Sequence, residues 1–338
     1  MRALVTGGAG FLGKAIATRI VEQGGRARSF SRGAHPELEP LGIEPIQGNL
    51  NDTQALSHAA KGCDVVFHVA ARVGGWGPRE EFHRTNVDGT SNVIDGCQRA
   101  AVPKLVFTST PSVAHAGGDI EGADESLPYA PRYEAAYPET KAEAERRVLA
   151  ANSNTLATVA LRPHLVWGPG DNHLMPRLLE RARAGRLWLV GREDKLVDAT
   201  YIDNAVDAHL RAAELVRPGA PCAGRAYFIA QGEPAPASEL INGVLVAAGL
   251  PPVTRRIPAS MAWVAGLFAE GAYRLLRKET EPPLTRFAAR QLATAHWYDL
   301  SAARRDLGYA PKVTTSEGLA RLRLHLESQS TGAEPATP

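Results

Sequence analysis

Tyr137 and Lys141 are the residues whose types and spacing best suit chemistry in this sequence. They lie four residues apart in YPETK, within a predicted helix over 134–151, so both side chains project from one face of that helix. A phenol has a pKa of about 10, and a nearby ammonium group stabilises phenolate and so favours proton transfer at neutral pH. Tyr137 is therefore a candidate general acid or base. The alternative is an exposed, solvated helix face.

A strand that ends in hydroxyl residues supplies a second candidate group. The stretch VFTSTPSV at 106–113 is apolar at first and polar at its end. The carboxyl ends of strands in an open α/β sheet face the ligand crevice, so Thr110, Ser109 or Ser112 is placed to hydrogen-bond a substrate carbonyl. Alone, such hydroxyls are more often turn formers or helix caps. Next to the Tyr137 and Lys141 pair, the catalytic interpretation is favoured.

A glycine-rich turn opens the chain. Strand 2–6 leads into TGGAGFLG, which places Gly7, Gly10 and Gly13 at the entrance to an apolar helix. This spacing permits a tight turn, a close approach of the backbone to a pyrophosphate, and packing of the helix on the strand. The turn therefore indicates dinucleotide binding, with a turn that binds nothing as the alternative.

The residues after the second strand indicate which dinucleotide is bound. Enzymes that prefer NAD usually carry an acid about 20 residues after the glycine turn, where it holds the ribose hydroxyls. Here the strand ends in Ser31 and Arg32, and the first acid is Glu37. A guanidinium binds a phosphate bidentately, so the sequence predicts NADP(H). The alternative is that Arg32 is a solvated surface residue.

A pattern of alternating strands and helices has to position these groups. Short β-branched runs predict strands at 2–6, 26–30, 43–47, 64–69, 104–109, 155–162 and 225–230. Amphipathic segments predict helices at 11–24, 52–60, 81–101, 134–151, 173–185 and 203–216. With right-handed crossovers, this order gives an α/β fold with a doubly wound parallel sheet of the Rossmann type.

The chain is expected to divide into two parts and a tail. The NADP-binding Rossmann domain takes 1–166 and 197–231, and a smaller, mostly helical substrate-binding lobe takes 167–196 and 232–327. The end, 328–338, is polar and contains proline, so we expect it to be disordered.

Composition excludes several classes of protein. Of the 338 residues, 44% are hydrophobic and 22% charged, and the net charge is only +2, which disfavours a disordered chain or a nucleic-acid binder. Cys63, Cys97 and Cys222 are too few and too far apart for a disulfide framework or a CxxC metal site, so a reducing, cytoplasmic location is expected. No targeting segment and no run long enough to span a bilayer is recognised.

An ordered set of motifs resembles the extended short-chain dehydrogenase/reductase family. The motifs are TGGAGFLG, HVAA at 68–71, NVDGT at 86–90, YPETK, LRP at 161–163, WGPGD at 167–171 and YIDNAVDAH at 201–209. Within that family, PLTRF at 283–287, HWY at 296–298 and LGYAP at 307–311 resemble the 3β-hydroxysteroid dehydrogenase branch. Sugar-nucleotide signatures are absent, which lowers the expectation of an epimerase.

The resemblance implies roles for individual residues. Tyr137 is the expected proton donor or acceptor, Lys141 holds the nicotinamide ribose, and the catalytic Ser/Thr of the family falls on Thr110. Where relatives carry Asp at the adenine, this chain has Asn49, whose carbonyl still accepts a hydrogen bond. No metal site is expected. The expected cofactor contacts are Gly7, Gly10, Phe11, Leu12, Gly13, Ser31, Arg32, Asn49, Leu50, Ala70, Tyr137, Lys141, Pro163 and Val166.

A closer resemblance concerns the substrate. SFSRG, STPSV, LRPHLVWGPGDNHLMPRL and PLTRF resemble bacterial reductases of long-chain β-keto acids in olefin biosynthesis. This implies reversible reduction of such a ketone to the 3-hydroxy acid, at a site that encloses apolar tails. Oxidation of a 3β-hydroxysteroid or sterol is the alternative reaction. A non-catalytic dinucleotide sensor is a further alternative, and the Tyr137 and Lys141 pair argues against it.

The segment Pro258 to Lys278 has one apolar face with charged flanks. Packing over the substrate groove is the favoured use of this segment, and docking of a protein partner comes next. Contact with a membrane surface is the least favoured, because the polar face is not strongly basic. A small lipid-like substrate is the expected partner, and a homodimer and association with a synthetase and a hydrolase of the same pathway stay open.

Overall fold

The computed structural model describes residues 1–331. The strands are β1 (Arg2–Thr6), β2 (Arg26–Ser31), β3 (Ile43–Gln47), β4 (Val65–His68), β5 (Lys104–Thr108), β6 (Ile120–Ala123), β7 (Ala157–Pro163), β8 (Val166–Trp167), β9 (Leu189–Val190), β10 (Leu196–Val197), β11 (Thr200–Tyr201), β12 (Arg225–Ile229), β13 (Ala235–Pro236), β14 (Arg256–Ile257) and β15 (His296–Tyr298). The α-helices are α1 (Phe11–Glu22), α2 (Thr53–Ala60), α3 (Arg79–Phe82), α4 (Gly89–Arg99), α5 (Ala136–Ala150), α6 (Leu174–Arg183), α7 (Ile202–Leu215), α8 (Ala237–Ala247), α9 (Ala259–Leu275), α10 (Arg286–Ala293), α11 (Ser301–Leu307) and α12 (Thr315–Thr331).

Seven parallel strands form the central sheet, in the order β12-β7-β5-β4-β1-β2-β3. The doubly wound sheet expected from the strand pattern is therefore confirmed. The chain runs outward from β1 to β3 and then returns to place β4 on the other side of β1. Ligands of open α/β sheets bind at such a reversal, outside the carboxyl ends of the strands.

Helices cover both faces of this sheet, as a buried parallel sheet requires. One apolar cluster includes Ile16 of α1 and Val206 of α7, and the other includes Val93 of α4 and Val148 of α5. All seven residues of β7 are buried, so this strand runs through the middle of the core.

A second, four-stranded sheet lies outside the central one, in the order β13-β10-β15-β6. It joins the short strand β6, which follows the 3₁₀ turn Pro111–Val113, to strands from the later part of the chain. Helices α8 to α12 make up most of the chain after residue 232. Within residues 1–331, no helix combines the length and the apolar character needed to cross a bilayer.

Two local expectations differ from the structure. The helix expected over 81–101 is α3 and α4 joined by a π-helical turn, His83–Asp88, in which Asn86 hydrogen-bonds the backbone of Arg72 and the hydroxyl of Thr140. At the C-terminus, α12 continues through 328–331, where the Ser328 hydroxyl donates to the His325 carbonyl at 2.8 Å. The rest of the expected disordered tail, 332–338, lies outside the described residues.

Candidate active site

The glycine turn between β1 and α1 is packed so tightly that side chains would not fit. Gly7 has φ +69°, and a Cβ there would lie 2.9 Å from the Cα of Ala70. A Cβ on Gly13 would lie 2.3 Å from the Gly7 carbonyl oxygen. Gly10 is the N-cap of α1, and no side chain caps this helix. The turn therefore presents backbone N–H groups at a helix N-terminus, which is the geometry that binds a pyrophosphate.

A row of buried polar side chains ties β1 to β4 beneath this turn. The Thr6 hydroxyl lies 2.7 Å from Nδ1 of His68, and Nε2 of His68 lies 2.9 Å from the Thr90 hydroxyl. Thr90 donates its own proton to the Asn86 carbonyl at 2.6 Å, so Nε2 is the protonated nitrogen of His68. Burial, together with the charge of Lys141, lowers the pKa of His68 to about 3. A neutral histidine thus fixes the two strand ends.

Helix α5 presents Tyr137 and Lys141 toward the carboxyl end of β5. The Lys141 amino group donates to the Thr108 carbonyl at 2.6 Å and lies 4.0 Å from the centre of the Phe107 ring. Burial lowers the pKa of Lys141 to about 7, and the nearby charge of Glu145 opposes that shift. The ammonium group is therefore held on the strand end by a backbone carbonyl.

The pKa of Tyr137 differs from the sequence-based expectation. Burial raises the pKa of this phenol to about 12, and its hydrogen bond with Thr110 acts in the opposite direction. The expected lowering by Lys141 is wrong for this structure, because desolvation dominates and the lysine is engaged with the Thr108 carbonyl. At neutral pH the phenol is protonated, which suits a proton donor.

Three hydroxyl residues follow β5, and the structure distinguishes them. Thr110 is the one that hydrogen-bonds the Tyr137 side chain, and its hydroxyl also accepts from the Ser112 N–H at 3.3 Å. Ser112 accepts a hydrogen bond from Thr110 at 3.2 Å. Ser109 is buried and has no hydrogen-bond partner for its hydroxyl among the described residues. Of the three, Thr110 therefore has the geometry to share a carbonyl oxygen with Tyr137.

A buried ion pair, which sequence analysis did not single out, positions α5. Arg162 of β7 donates to both carboxylate oxygens of Glu145, at 3.0 and 2.6 Å, and the Tyr129 hydroxyl donates to the same carboxylate at 2.7 Å. Glu145 lies four residues after Lys141, on the same face of the helix. The signal in the sequence is an arginine inside the otherwise apolar strand TVALRP. The pair fixes the rotation of α5 and hence the direction of its catalytic face.

The end of β2 carries the residues expected to select the cofactor. Ser31 is partly exposed, and its hydroxyl lies 3.4 Å from that of Ser29. Arg32 is exposed, and within the described chain its guanidinium has no hydrogen-bond or salt-bridge partner. The side-chain oxygen of Asn49 accepts from the Asn51 N–H at 3.0 Å, and Leu50 is buried beside it. Arg32 therefore stands at the end of β2 with its guanidinium exposed to solvent.

The expected cofactor residues lie in a row that follows the strand order. On one side of β1, Pro163 ends β7, Thr110 follows β5 and Ala70 follows β4. The glycine turn with Phe11 and Leu12 follows β1, and on its other side Arg32 follows β2 and Asn49 follows β3. Val166 begins β8, shortly after Pro163. The strands of the central sheet are parallel, so the residues at the ends of β1 to β5 and β7 share one edge of that sheet, whereas β8 pairs with β11 in a separate two-stranded sheet. The structure thus gathers them along a line that suits an extended dinucleotide, with Tyr137 and Lys141 at the β5 position.

A cleft of about 510 Å³ lies beside this line. Its walls include the aromatic rings of Trp76, Tyr133 and Phe287, and its lining includes Ala136, which directly precedes Tyr137. The Trp76 N–H donates to the Lys278 carbonyl at 3.3 Å, which ties the loop after β4 to the end of α9. Sequence analysis missed this cleft because its walls come from segments about 200 residues apart.

The fold, the glycine turn and the Tyr137, Lys141 and Thr110 group define a Rossmann-fold oxidoreductase of the extended short-chain dehydrogenase/reductase class. The chain belongs to the 3-beta hydroxysteroid dehydrogenase/isomerase family, whose model matches residues 4–257. The family expected from the ordered motifs is therefore confirmed, and with it the expectation that the chain is an enzyme.

Two curated relatives share a name. The 2-alkyl-3-oxoalkanoate reductase of Stenotrophomonas maltophilia is 53% identical over 326 residues, which cover 96% of this chain and 98% of that protein. The 2-alkyl-3-oxoalkanoate reductase of Shewanella oneidensis is 49% identical over 332 residues, covering 96% of this chain and 86% of that protein. Among solved structures, MoeE5 in complex with UDP-glucose and NAD has a TM-score of 0.76 at 25% identity and covers 98% of this chain and 100% of its own.

Proposed function

We propose that this enzyme is an NADP(H)-dependent reductase that converts the ketone of a 2-alkyl-3-oxoalkanoate, a long-chain β-keto acid, to the 3-hydroxy acid, as a step of olefin biosynthesis. The observation that carries the proposal is the placement of Tyr137 and Lys141 on α5 at the end of β5, beside Thr110 and next to a cleft with aromatic and charged walls. Similarity to two relatives named for this reaction, over nearly the whole chain, supports the substrate class.

The chain's residues supply the proton and hold the ketone. When bound, the dihydronicotinamide supplies a hydride to the carbonyl carbon. Thr110 and Tyr137 both hydrogen-bond the carbonyl oxygen, and Tyr137 transfers its proton to that oxygen as negative charge develops there. Lys141, held at the strand end by the Thr108 carbonyl, would hold the nicotinamide ribose of the bound cofactor. A solvent proton then restores Tyr137, so each turnover consumes one hydride and one proton.

Arg32 is the residue we assign to the 2′-phosphate of NADP(H). A charge-assisted phosphate contact contributes about 1.5–3 kcal/mol. We therefore expect Arg32→Ala to raise the KM for NADPH by at least about tenfold and to leave the KM for NADH nearly unchanged. Arg26→Ala, an exposed arginine at the opposite end of β2, is the matched control and should change neither value. Equal use of NADH and NADPH by the unaltered enzyme would contradict the assignment.

We assign substrate binding to the lobe formed by 167–196 and 232–327, and cofactor binding to 1–166 and 197–231. The cleft between them is lined by aromatic side chains, which suit apolar tails, and by charged side chains that include several cations, which suit a carboxylate. Its lining residues come from the loop at 75–79, the start of α5, the end of α9 and the start of α10.

A substrate panel tests the reaction against its nearest competitor. The family match favours oxidation of a 3β-hydroxysteroid as the second candidate, since a flat polycycle also fits an aromatic cleft. Both reactions are followed by the absorbance of NADPH at matched substrate concentrations. We expect the kcat/KM for reduction of long-chain 2-alkyl-3-oxo acids with NADPH to be at least about tenfold above the kcat/KM for oxidation of any 3β-hydroxysteroid with NADP⁺. A steroid that is turned over faster than every keto acid would favour the second candidate.

We place the enzyme in the cytoplasm. Its three cysteines, Cys63, Cys97 and Cys222, are free and buried, and burial raises the pKa of each thiol. Unpaired thiols are typical of a reducing compartment.

A further inference from the structure

Helix α9 does not supply the apolar wall that was expected from its sequence. Phe268 is 73% exposed and Leu275 is 84% exposed, whereas the buried residues of this helix are Ala262, Gly266 and Glu270. Only the charged end of the helix lines the cleft. The predicted packing of its apolar face over the substrate groove is therefore wrong, and the apolar chains of a substrate need contacts from other segments.

Leu165 is an exposed leucine in a strained backbone conformation. It follows β7 with φ +42°, in the left-handed region that leucine rarely adopts, and it is 40% exposed. Within residues 1–331, the other residues with a positive φ that are not glycine are Ala101 and Arg277. Each of these stands directly after the C-cap of a helix, where the left-handed conformation is an ordinary way to end the helix. Leu165 follows a strand, so its conformation needs another explanation.

Hydrogen bonds hold the backbone in this conformation on both sides of the strained bond. The His164 N–H donates to the Ile229 carbonyl at 2.9 Å, and the His164 carbonyl accepts from the Thr200 hydroxyl at 2.7 Å. The Leu165 carbonyl accepts from the Thr200 N–H at 3.2 Å. His164 is itself buried, with its ring stacked on that of His296. Strained residues that their surroundings fix in this way cluster at functional sites.

The strained turn lies at the carboxyl edge of the central sheet, beside the catalytic group. Strand β7 pairs with β5 in parallel, and the register puts Pro163, its last residue, level with Thr110. Neighbouring strands are about 4.8 Å apart, so Leu165 leaves the sheet close to the residue that hydrogen-bonds Tyr137. A dinucleotide lies along the strand ends themselves. A side chain that stands beyond the end of β7 is therefore placed to contact the substrate.

We propose that Leu165 contacts the apolar chain of the substrate next to the reacting ketone and so favours substrates with long alkyl chains. A leucine side chain offers only apolar surface, and its exposed part becomes buried when an alkyl chain binds against it. This contact explains the strained backbone, because the strain holds the side chain in the crevice before the substrate arrives. The inference rests on the proposed function, in which the substrate carries long alkyl chains.

Binding of laurate, a fatty acid with no ketone to reduce, tests the contact without turnover. Calorimetry is carried out on the full chain with NADP⁺ bound. We expect Leu165→Asn to weaken laurate binding by at least about tenfold, because asparagine tolerates the left-handed conformation but removes the apolar surface. Leu165→Met keeps an apolar side chain and should bind within about threefold of the unaltered enzyme. Ala101→Asn, at the left-handed residue before β5 on the opposite edge of the sheet, is the matched control and should change nothing.

Kinetics with two ketones separate this contact from a general role in the fold. In Leu165→Asn, the kcat/KM for a long-chain 2-alkyl-3-oxoalkanoate should fall by at least about tenfold, while the kcat/KM for acetoacetate and the Kd for NADPH should stay within about twofold. Laurate that does not bind the unaltered enzyme, or that binds Leu165→Asn equally well, would overturn the inference. So would equal losses for the two ketones, or a matching loss of NADPH affinity, which would assign the leucine to the cofactor. An enzyme that binds laurate as expected but reduces no 3-oxo acid would contradict the proposed function and leave the contact standing.

Discussion

Tyr137→Phe should lower kcat by a factor of about 10² to 10⁴, which is the range for loss of a positioned general acid. The ring and its packing stay, and only the transferable proton is lost. The dissociation constant for NADPH should change little, because the substitution leaves Lys141 bound to the Thr108 carbonyl at 2.6 Å. Single-turnover kinetics and fluorescence titration of NADPH measure the two quantities separately.

Tyr201→Phe is the matched control for this substitution. Tyr201 belongs to β11 and packs edge-on against Trp167 with ring centres 5.3 Å apart, away from the β5 edge of the sheet. We expect a near-normal kcat for this variant. A Tyr137→Phe enzyme with near-normal turnover would mean that another group protonates the product.

Arg162→Met should lower the free energy of unfolding by about 3–5 kcal/mol, the cost of removing one partner from a buried ion pair. The side chains of Arg162 and Glu145 are 5% and 0% exposed, so the carboxylate would be left in the core with only the Tyr129 hydroxyl. Urea denaturation followed by circular dichroism measures the change, provided that the m-value is unchanged.

The control for this prediction is the same substitution at an exposed pair. Arg323 donates to Glu327 at 2.7 Å on α12, but its side chain is 66% exposed. Arg323→Met should therefore cost less than about 1 kcal/mol. Similar losses at Arg162 and Arg323 would show that the buried pair is not the element that holds α5 in place.

The strands that carry the site, and the edge at which they end, could be predicted from the sequence because both depend on local patterns. The β-branched runs, such as TVALRP, give the seven strands within a few residues of their observed ends. Parallel strands share one edge, so the motifs at the strand ends necessarily meet there. For the same reason the hydroxyl residues after β5 could be placed on the edge toward which α5 projects Tyr137.

The parts that could not be predicted depend on contacts between distant segments. The raised pKa of Tyr137 results from burial of the phenol, and burial cannot be predicted from the four-residue spacing between Tyr137 and Lys141. The outward face of α9 follows from Gly266 and Glu270 meeting Arg286, and the same hydropathy pattern would fit a helix packed the other way round. The cleft wall at Trp76 likewise requires the end of α9 to be in place.

The most direct test of the proposed reaction follows the hydride itself. The unaltered enzyme is incubated with NADPH carrying deuterium at both positions of C4 and with a 2-alkyl-3-oxoalkanoate of long chain length, and the product is analysed by mass spectrometry. We predict a 3-hydroxy acid that carries one deuterium, bonded to C3, and an equal amount of NADP⁺. A 3-hydroxy acid without deuterium, or no reduction of the ketone while NADPH binds normally, would contradict the account.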